Sequence, residues 1–458
     1  MLKKDVNMLS GSIVKGLLTI SLPVMVMNVL QSMFNIIDMS VLKTFDSSGG
    51  YSVGAVGTCG TLISLITGLL IGISAGANVV VAKYIGKKDQ ESVDKAVGTS
   101  IFFSILGGLL LLIIGVCFGR VFLTLMNCPA ALLDQATLYF RLYFLGVPIL
   151  MVYNFCASIL RSAGDSKRPM LFLTLGGIIK VLLNLLFVAV FKMTVDGVAL
   201  ATIISWLVTA VLGLHALLTN SGAVKLKINR IRVYKQQLKE ILIIGIPTGL
   251  QQALYSIANV IITATVNTFG PDATTGISIA NTFDGILYQI SVAPSLAVMP
   301  YVSQNIGAGN IERAKKTVSK GVLITVLFGA SFGIVSALFS AQLSSIMSSN
   351  PAVIAFSQQK MIIISSTYFL CGINETLGGA LKGMGKPLVP MICTMIFMCA
   401  IRFVWVYLIF PLMPNLTFLY LIWPIGWVLS LVTLLFFYFP TLKRIKNKLL
   451  TPANTTVE

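Results

Sequence analysis

Charge is the property that this sequence has least of. Asp, Glu, Lys and Arg make up 10% of its 458 residues, against roughly 25% in a typical soluble domain. Hydrophobic residues make up 56%, and the mean hydropathy is +0.91. The longest polar interval, from Asn220 to Lys239, spans only 20 residues, which is too short to fold as a separate soluble domain. We therefore expect an all-α polytopic membrane protein whose function resides in the membrane.

Histidine and clustered cysteine are also scarce. His215 is the one histidine, and it has no partner at the spacing of metal ligands, so we expect a structural role. The seven cysteines are scattered, mostly within apolar runs, and are not paired at metal-ligand spacing. The sequence also has no surface loop with the clustered His, Asp or Glu residues of a catalytic set. We therefore expect neither an enzyme nor a metal or cofactor site.

Basic residues outnumber acidic ones, giving a net charge of +18. Most of the Lys and Arg residues fall in alternate connections between apolar segments, as in cytoplasmic loops. The excess charge therefore indicates orientation in the cell membrane, with both termini cytoplasmic, and not a nucleic-acid partner. The basic connection from Lys225 to Lys239 is expected to rest on anionic lipid headgroups rather than to have a regulatory role.

Twelve apolar segments separated by breaker residues predict twelve transmembrane helices. Each is long enough to cross a bilayer, which takes roughly 20 apolar residues. The segments lie at 16–42, 53–82, 96–119, 136–160, 170–191, 197–219, 241–269, 276–302, 321–341, 357–381, 389–412 and 418–440.

The second half of the chain repeats the first. At an offset of 221 residues, Gly86 meets Gly307, and Leu160-Arg161-Ser162-Ala163-Gly164 meets Leu381-Lys382-Gly383-Met384-Gly385. At an offset of 224, Pro23, Asn28 and Asn35 meet Pro247, Gln252 and Asn259. Two six-helix repeats have the same orientation, and transporters of this build bind substrate between the halves. The expected regions are an N-terminal lobe at 1–219, a cytoplasmic basic linker at 220–239, a C-terminal lobe at 240–440 and a cytoplasmic tail at 441–458.

The first apolar segment carries one polar stripe. Asn28, Gln31, Asn35 and Asp38 are spaced i, i+3, i+7 and i+10, which places them in one quadrant of a helix. A row that ends in a carboxylate is too costly to face lipid, so it should face other helices or a water-filled cavity. The alternative is that Asp38, five residues before Lys43, is an interfacial acid that reaches the headgroups.

Five short motifs also occur along the chain. They are Pro23 with Asp38 in the first helix, Gly86 after the second, Ile159-Leu160-Arg161-Ser162-Ala163-Gly164-Asp165 after the fourth, Gly197-Val198-Ala199-Leu200-Ala201-Thr202 opening the sixth, and Gln304-Asn305-Ile306-Gly307-Ala308-Gly309-Asn310 after the eighth. In this order they resemble the MATE (multidrug and toxic compound extrusion) family over nearly the whole chain. The resemblance implies a MATE-like, V-shaped pair of six-helix lobes.

The resemblance also implies an activity. MATE proteins are secondary active antiporters that export amphipathic, often cationic organic compounds in exchange for protons or sodium ions by alternating access. The implied partners are a small organic substrate and membrane lipids, and we expect a monomer. A flippase for lipid-linked precursors is the alternative, since related export folds share the repeat. Such flippases tend to have extra terminal helices and a strongly cationic cavity, whereas three buried acids against two bases are expected in this chain.

Charges inside the predicted helices are the candidates for ion coupling. They are Asp38, Lys180, Asp284, Glu375 and Arg402. Each must be paired, neutralised or hydrated, because an isolated charge in a medium of low dielectric constant is costly. The resemblance implies that Asp38 is the ion-coupling carboxylate of the N-terminal half; its repeat mate is Ile262, so the duplication does not require an acid there.

Lys180 departs from the family, which commonly has an asparagine at this position. Asn184 stands four residues later, where some members carry a second acid. A lysine at a sodium-ligand position competes with the ion, which favours protons as the coupling ion. If Lys180 faces Asp38, the two form a salt bridge that a proton or a cationic substrate opens. The alternatives are that Lys180 neutralises a nearby acid for stability, or that it selects an anionic or zwitterionic substrate.

In the second half, the positions of two family acids carry Tyr255 and Cys371 instead. Glu375, one helical turn after Cys371, is the expected substitute, either as a proton carrier or as a substrate anchor. The alternative is that Glu375 is a structural partner of Arg402. The remaining polar groups are expected to line the substrate cavity: Asn28, Gln31, Asn35, Asn154, Gln252, Tyr255, Asn259, Asn281, Asp284 and Tyr288.

Overall fold

A computed structural model describes residues 6–45, 51–126 and 128–450, and the regular structure in these ranges is helical throughout. The first half contains α1 (Ile13–Phe45), α2 (Tyr51–Gly86), α3 (Gln90–Leu125), α4 (Ala130–Ser162), α5 (Lys167–Asn184), which continues as a π-helix over Leu185–Val190, and α6 (Val195–Leu218). A short 3-10 helix, Ile228–Arg230, lies in the connection between the halves.

The second half follows the same plan with more interruptions. It contains α7 (Lys235–Asn267), α8 (Pro271–Gly307), α9 (Ile311–Leu338), α10 (Ser340–Ser345), α11 (Pro351–Ser365), α12 (Tyr368–Gly383), α13 (Leu388–Cys393), α14 (Ile401–Val404), α15 (Leu416–Tyr420) and α16 (Ile422–Leu450). A π-helical segment, Thr394–Ala400, joins α13 to α14, and a second, Trp405–Ile409, joins α14 to a terminal 3-10 turn, Phe410–Leu412.

The all-α membrane architecture predicted from the sequence is confirmed. Ten stretches of the described chain are long and apolar enough to cross a membrane. The two other predicted segments correspond to α7 and to α11 with α12, whose helical structure is interrupted at Ser366–Thr367. The helical stretch that corresponds to each predicted apolar segment begins before that segment. Hydropathy marks only the part of a helix that contacts lipid, while the helix itself extends into its polar end.

The helices form two compact units. Unit 1 comprises Met1–Val6, Leu22–Val81 and Asp89–Ala253, and unit 2 comprises Asn7–Ser21, Ala82–Lys88 and Leu254–Glu458. The lobe and linker limits expected from the sequence stay a prediction.

Glycine permits a close helix crossing inside unit 1. A Cβ on Gly72 of α2 would lie 2.2 Å from the Cα of Gly249 of α7. One turn further along α2, a Cβ on Gly76 would lie 2.2 Å from the carbonyl oxygen of Ile241. These positions continue the small-residue pattern that allows backbone contact between membrane helices.

The basic connection before α7 lies against α3 in unit 1. Lys227 Nζ forms an ion pair of 2.6 Å with Asp94 Oδ2, and a Cβ on Gly98 would lie 2.0 Å from the carbonyl oxygen of Arg230. The Asp94 side chain is buried although it was not among the charges predicted to be buried. Protein contacts therefore hold this part of the connection, in addition to any contact with headgroups.

Candidate ion-coupling and substrate sites

The polar stripe of α1 meets α5 inside unit 1. Asp38 is buried, and its carboxylate forms an ion pair with Lys180. The same carboxylate accepts a hydrogen bond from the amide of Asn184. Lys180 and Asn184 are four residues apart and so lie on one face of α5. The pairing of Lys180 with Asp38 that the sequence left open is therefore present.

Small residues bring the two helices close enough for this contact. A Cβ on Gly177 of α5 would lie 1.8 Å from Cε2 of Phe34 on α1, one turn before Asp38. On the opposite side of α5, Ser205 Oγ donates a hydrogen bond of 2.7 Å to the carbonyl oxygen of Gly176. The regular α-helix ends at Asn184 and continues as a π-helix, a local change that is frequent at functional sites.

Both oxygens of the Asp38 carboxylate have donors beside them. Lys180 pairs with Oδ2, and Asn184 donates to Oδ1, so both carboxylate oxygens face donors. Asn184 is fully buried, and its own Oδ1 has no hydrogen-bond partner among the described residues. That oxygen is an available acceptor for a protonated carboxyl group, once the amide turns.

Unit 2 contains a second buried ion pair. Lys360 Nζ on α11 lies 2.9 Å from Asp284 Oδ2 on α8, and only 3% of the Lys360 side chain is exposed. Lys360 also donates a hydrogen bond to the side-chain oxygen of Asn281, one turn before Asp284. Tyr368 donates to the backbone oxygen of Asp284 at 3.0 Å. Each unit therefore contains a cluster of one carboxylate, one lysine and one asparagine.

Lys360 is the main functional candidate that the sequence prediction missed. The predicted apolar segment begins at 357, and Lys360 was not among the charges named inside the predicted helices. The helix in fact begins at Pro351, and Asn350 caps it by accepting a hydrogen bond from the backbone N–H of Ala352 at 3.0 Å. Asn followed by Pro is a helix-start signal, and it would have placed Lys360 well inside the helix. Lys360 therefore adds a buried base to the two, Lys180 and Arg402, that were predicted to accompany the three acids.

Glu375 and Arg402 have different partners in unit 2. The hydroxyl of Tyr255 donates a hydrogen bond of 3.1 Å to Glu375 Oε1. The guanidinium of Arg402 donates through Nη1 to Asn259 Oδ1 at 2.7 Å. Glu375 and Arg402 are both buried, but they form no ion pair within the described part of the chain. The structural pairing considered for them is therefore not observed there.

The duplication relates Arg402 to Lys180. The two occupy equivalent helices at an offset of 222 residues, and Asn259 is the repeat mate of Asn35 on α1. In unit 1 the cation bonds to the Asp38 carboxylate, whereas in unit 2 it bonds to the Asn259 amide. The second repeat thus keeps a cation at this position, with no carboxylate in ion-pair contact with it among the described residues.

Comparison with known proteins identifies the family. The MatE family model matches two separate stretches, residues 23–186 and 247–408. The chain belongs to the MatE family. It is 26% identical over 408 residues to the "Probable multidrug resistance protein YpnP" of Bacillus subtilis, covering 87% of this chain and 89% of that protein. It is 28% identical over 396 residues to the "Probable multidrug resistance protein NorM" of Thermotoga maritima, covering 83% and 82%.

The fold agrees with this identification. The structure of a multidrug resistance MATE family transporter in an outward-facing conformation superposes with a TM-score of 0.90, covering 98% of this chain and 100% of that chain at 21% sequence identity. MATE transporters of this fold have twelve helices in two repeats. This MatE protein is therefore a multi-pass membrane transporter and not an enzyme, as its sequence predicted.

The other residues predicted to line the substrate cavity are not part of these two clusters. Gln31 is exposed, and Asn28, Gln252 and Tyr288 are half-buried. Asn154 is half-buried and donates to the carbonyl oxygen of Leu150 in its own helix at 3.0 Å. The placement of the Asn35 side chain lies outside the described residues. In the described ranges, His, Cys, Asp and Glu form no group of three or more that could hold a metal ion.

Proposed function

We propose that this MatE protein is a proton-coupled antiporter of the cell membrane that exports amphipathic, cationic organic compounds. The observation that carries the proposal is the buried cluster of Asp38, Lys180 and Asn184 in unit 1. A protein that exchanges two cations needs one group that both recognise, and a buried carboxylate is such a group. The family and the multidrug names of the relatives support a drug-like cargo.

The ion pair supplies a mechanism of exchange. With Asp38 ionised, Lys180 neutralises it and the buried site carries no net charge. A proton that binds to Asp38 removes the negative charge and releases Lys180. A cationic cargo competes for the same carboxylate, so proton and cargo exclude each other at one site. Because each ligand prevents the other from binding, their binding is negatively coupled, and antiport requires such a coupling.

Sodium coupling has less support in unit 1. A sodium ion needs several oxygen ligands, but the donors of Lys180 and Asn184 already occupy both oxygens of Asp38. The flippase alternative is also less favoured, because the MatE match covers both halves of the chain and the relatives carry multidrug names. We further propose that the chain acts as a monomer among membrane lipids, with both termini in the cytoplasm.

Proteoliposomes loaded with a fluorescent organic cation, ethidium, test this function. Efflux is measured under an imposed pH gradient and, separately, under an imposed sodium gradient at equal pH, with protein-free liposomes as the control. The proposal predicts efflux that the pH gradient drives and that a protonophore abolishes. Efflux driven by sodium alone would contradict proton coupling, and no efflux under either gradient would contradict export of organic cations.

A further inference from the structure

The guanidinium of Arg402 in unit 2 lacks a counter-ion. It is 3% exposed, and no carboxylate lies within ion-pair distance of it in the described ranges. Its one hydrogen bond there is to the neutral amide oxygen of Asn259. A guanidinium carries five N–H donors and stays charged at any physiological pH. A buried charge without a partner is costly, so a protein that keeps one has a use for it.

Unit 2 contains more buried cations than buried carboxylates. Its buried cations are Lys360, Lys382 and Arg402, and its buried carboxylates are Asp284 and Glu375. Lys360 is paired with Asp284, whereas Glu375 accepts from a tyrosine. One positive charge is therefore uncompensated among the described residues of this unit.

One aromatic ring, Trp423, lies against the unpaired cation. The Cζ atom of Arg402 lies 5.0 Å from the centroid of the Trp423 ring, and Lys360 Nζ lies 5.7 Å from the same centroid. The Tyr420 ring lies 6.3 Å from Trp423. A cation–π contact stabilises a guanidinium only in part, and it leaves the N–H donors, which lie in the guanidinium plane, free to bind an anion.

Hydrogen-bond acceptors are also lacking in this region. Trp405 is three residues from Arg402 along the chain and packs in the same aromatic cluster as Trp423. Its indole N–H is buried without an acceptor among the described residues, and the Tyr420 hydroxyl is likewise buried without a partner there. An indole nitrogen is a donor only. Two buried groups without partners in the cluster that contains Trp423, together with the uncompensated guanidinium that packs on Trp423, favour a ligand that carries acceptors and a negative charge.

The cluster is accessible at its polar end. Asn259, the partner of Arg402, and Asn281, the partner of Lys360, are both exposed. Exposed amides in the middle of membrane-spanning helices are costly against lipid and therefore face water. An anion that arrives from that water meets the Arg402 guanidinium behind the Asn259 side chain.

From these contacts we infer that unit 2 contains a binding site for an organic carboxylate, in which the guanidinium of Arg402 holds the carboxylate beside Trp423. Arg suits this ligand because its planar donors match a carboxylate with two parallel hydrogen bonds. The aromatic surroundings favour an organic anion over an inorganic one. The inference rests on the proposed export function only in so far as the bound carboxylate belongs to a cargo; the binding itself does not depend on transport.

Equilibrium binding to the full chain in nanodiscs of zwitterionic lipid tests the site. The probes are naphthalene-2-carboxylate and its neutral analogue naphthalene-2-carboxamide, measured by calorimetry. The native chain is expected to bind the carboxylate more tightly. Arg402→Gln is expected to weaken carboxylate binding by about 10-fold to 100-fold, the worth of a charge-assisted hydrogen-bond pair, and to leave the carboxamide unchanged.

Two further variants make the result specific. Arg120→Gln is the matched control, because Arg120 is an exposed arginine of unit 1, and it should not change either affinity. Asn259→Asp places a carboxylate against Arg402 within the chain, so it should abolish binding of the added carboxylate while raising the melting temperature. This second variant keeps the test valid if Arg402→Gln fails to fold.

The outcomes separate the possibilities. Equal affinity for carboxylate and carboxamide in the native chain would overturn the inference, as would an unchanged preference in both Arg402→Gln and Asn259→Asp. Displacement of the probe by inorganic phosphate or chloride at matched concentration would show a site for inorganic anions and would overturn the organic assignment. Carboxylate binding without any ethidium efflux would support this site while contradicting the proposed function, whereas efflux without carboxylate binding would do the reverse.

Discussion

Lys180 of α5 forms a buried ion pair with Asp38 of α1, although the two residues lie on helices that are far apart in the sequence. Asn184 adds a hydrogen bond to the same carboxylate. Buried pairs of this kind contribute little net stability, but breaking one by removing a single partner is strongly destabilising. A group that is costly to leave unpaired and easy to neutralise with a proton is suited to a switch.

The ion pair therefore predicts a non-additive response to mutation. Lys180→Met leaves the Asp38 carboxylate buried without its cation, at a cost of about 3–5 kcal/mol. The double variant Asp38→Asn with Lys180→Met removes both charges and should recover most of that loss. Thermal unfolding, followed by fluorescence, is measured for four purified proteins: the native chain, Lys180→Met, Asp38→Asn and the double variant. Together they form a double-mutant cycle.

The exposed pair of Arg120 and Asp134, 3.0 Å apart, is the control for this cycle. Its side chains are 57% and 84% exposed, so Arg120→Met should cost less than about 1 kcal/mol. A double variant whose loss of stability equals the sum of the two single losses would show that the buried pair is not coupled.

The polar stripe of α1 predicts a water-accessible position. Gln31 is exposed, and a polar side chain in the middle of a membrane helix should face water rather than lipid. In a background with Cys117→Ser, Gln31→Cys should react with a hydrophilic maleimide in intact membranes. Leu110 on α3 is 58% exposed and apolar, so Leu110→Cys should stay unreactive in lipid. Equal labelling of the two positions would refute a water-facing stripe.

The crossing of α2 and α7 predicts different effects for two glycines on one helix. Gly72→Ala would place a Cβ 2.2 Å from the Cα of Gly249, so the helices must separate, at a cost of about 1–3 kcal/mol. A Cβ on Gly60 of α2 would meet nothing within 4 Å, so Gly60→Ala should be neutral or stabilising by up to about 1 kcal/mol. Melting temperatures of the two variants check this difference, and a tolerated Gly72→Ala would contradict the close crossing.

The sequence was sufficient for the helices and for half of the buried charges. Hydropathy and the internal repeat predict the helical segments because a bilayer imposes both their length and their apolar character. The cost of charge in lipid likewise identified Asp38, Asp284 and Arg402 as inward-facing, and all three are buried. These predictions depend on composition along one helix, which the sequence contains directly.

The choice of partners was less accessible from the sequence. Arg402 bonds to Asn259 and not to Glu375, and Lys360 pairs with Asp284, which lies on another helix. Such contacts depend on the rotation of each helix about its axis and on the depth at which helices cross. Periodicity fixes which residues share a face, but it does not fix which faces meet. The sequence analysis also did not identify Lys360 as a buried charge. Its helix begins at Pro351, six residues before the predicted apolar segment.

The central claim is that proton and cargo compete for Asp38, and the pH dependence of cargo binding tests it most directly. The dissociation constant of ethidium is measured by fluorescence anisotropy at a series of pH values, for the native chain and for Asp38→Asn. Competition predicts that the native dissociation constant rises as pH falls, approaching tenfold per pH unit once Asp38 is mostly protonated. Asp38→Asn, which lacks the carboxylate, should bind ethidium more weakly and independently of pH over that range. A native affinity that does not change with pH, or a variant that keeps the native pH dependence, would contradict the account.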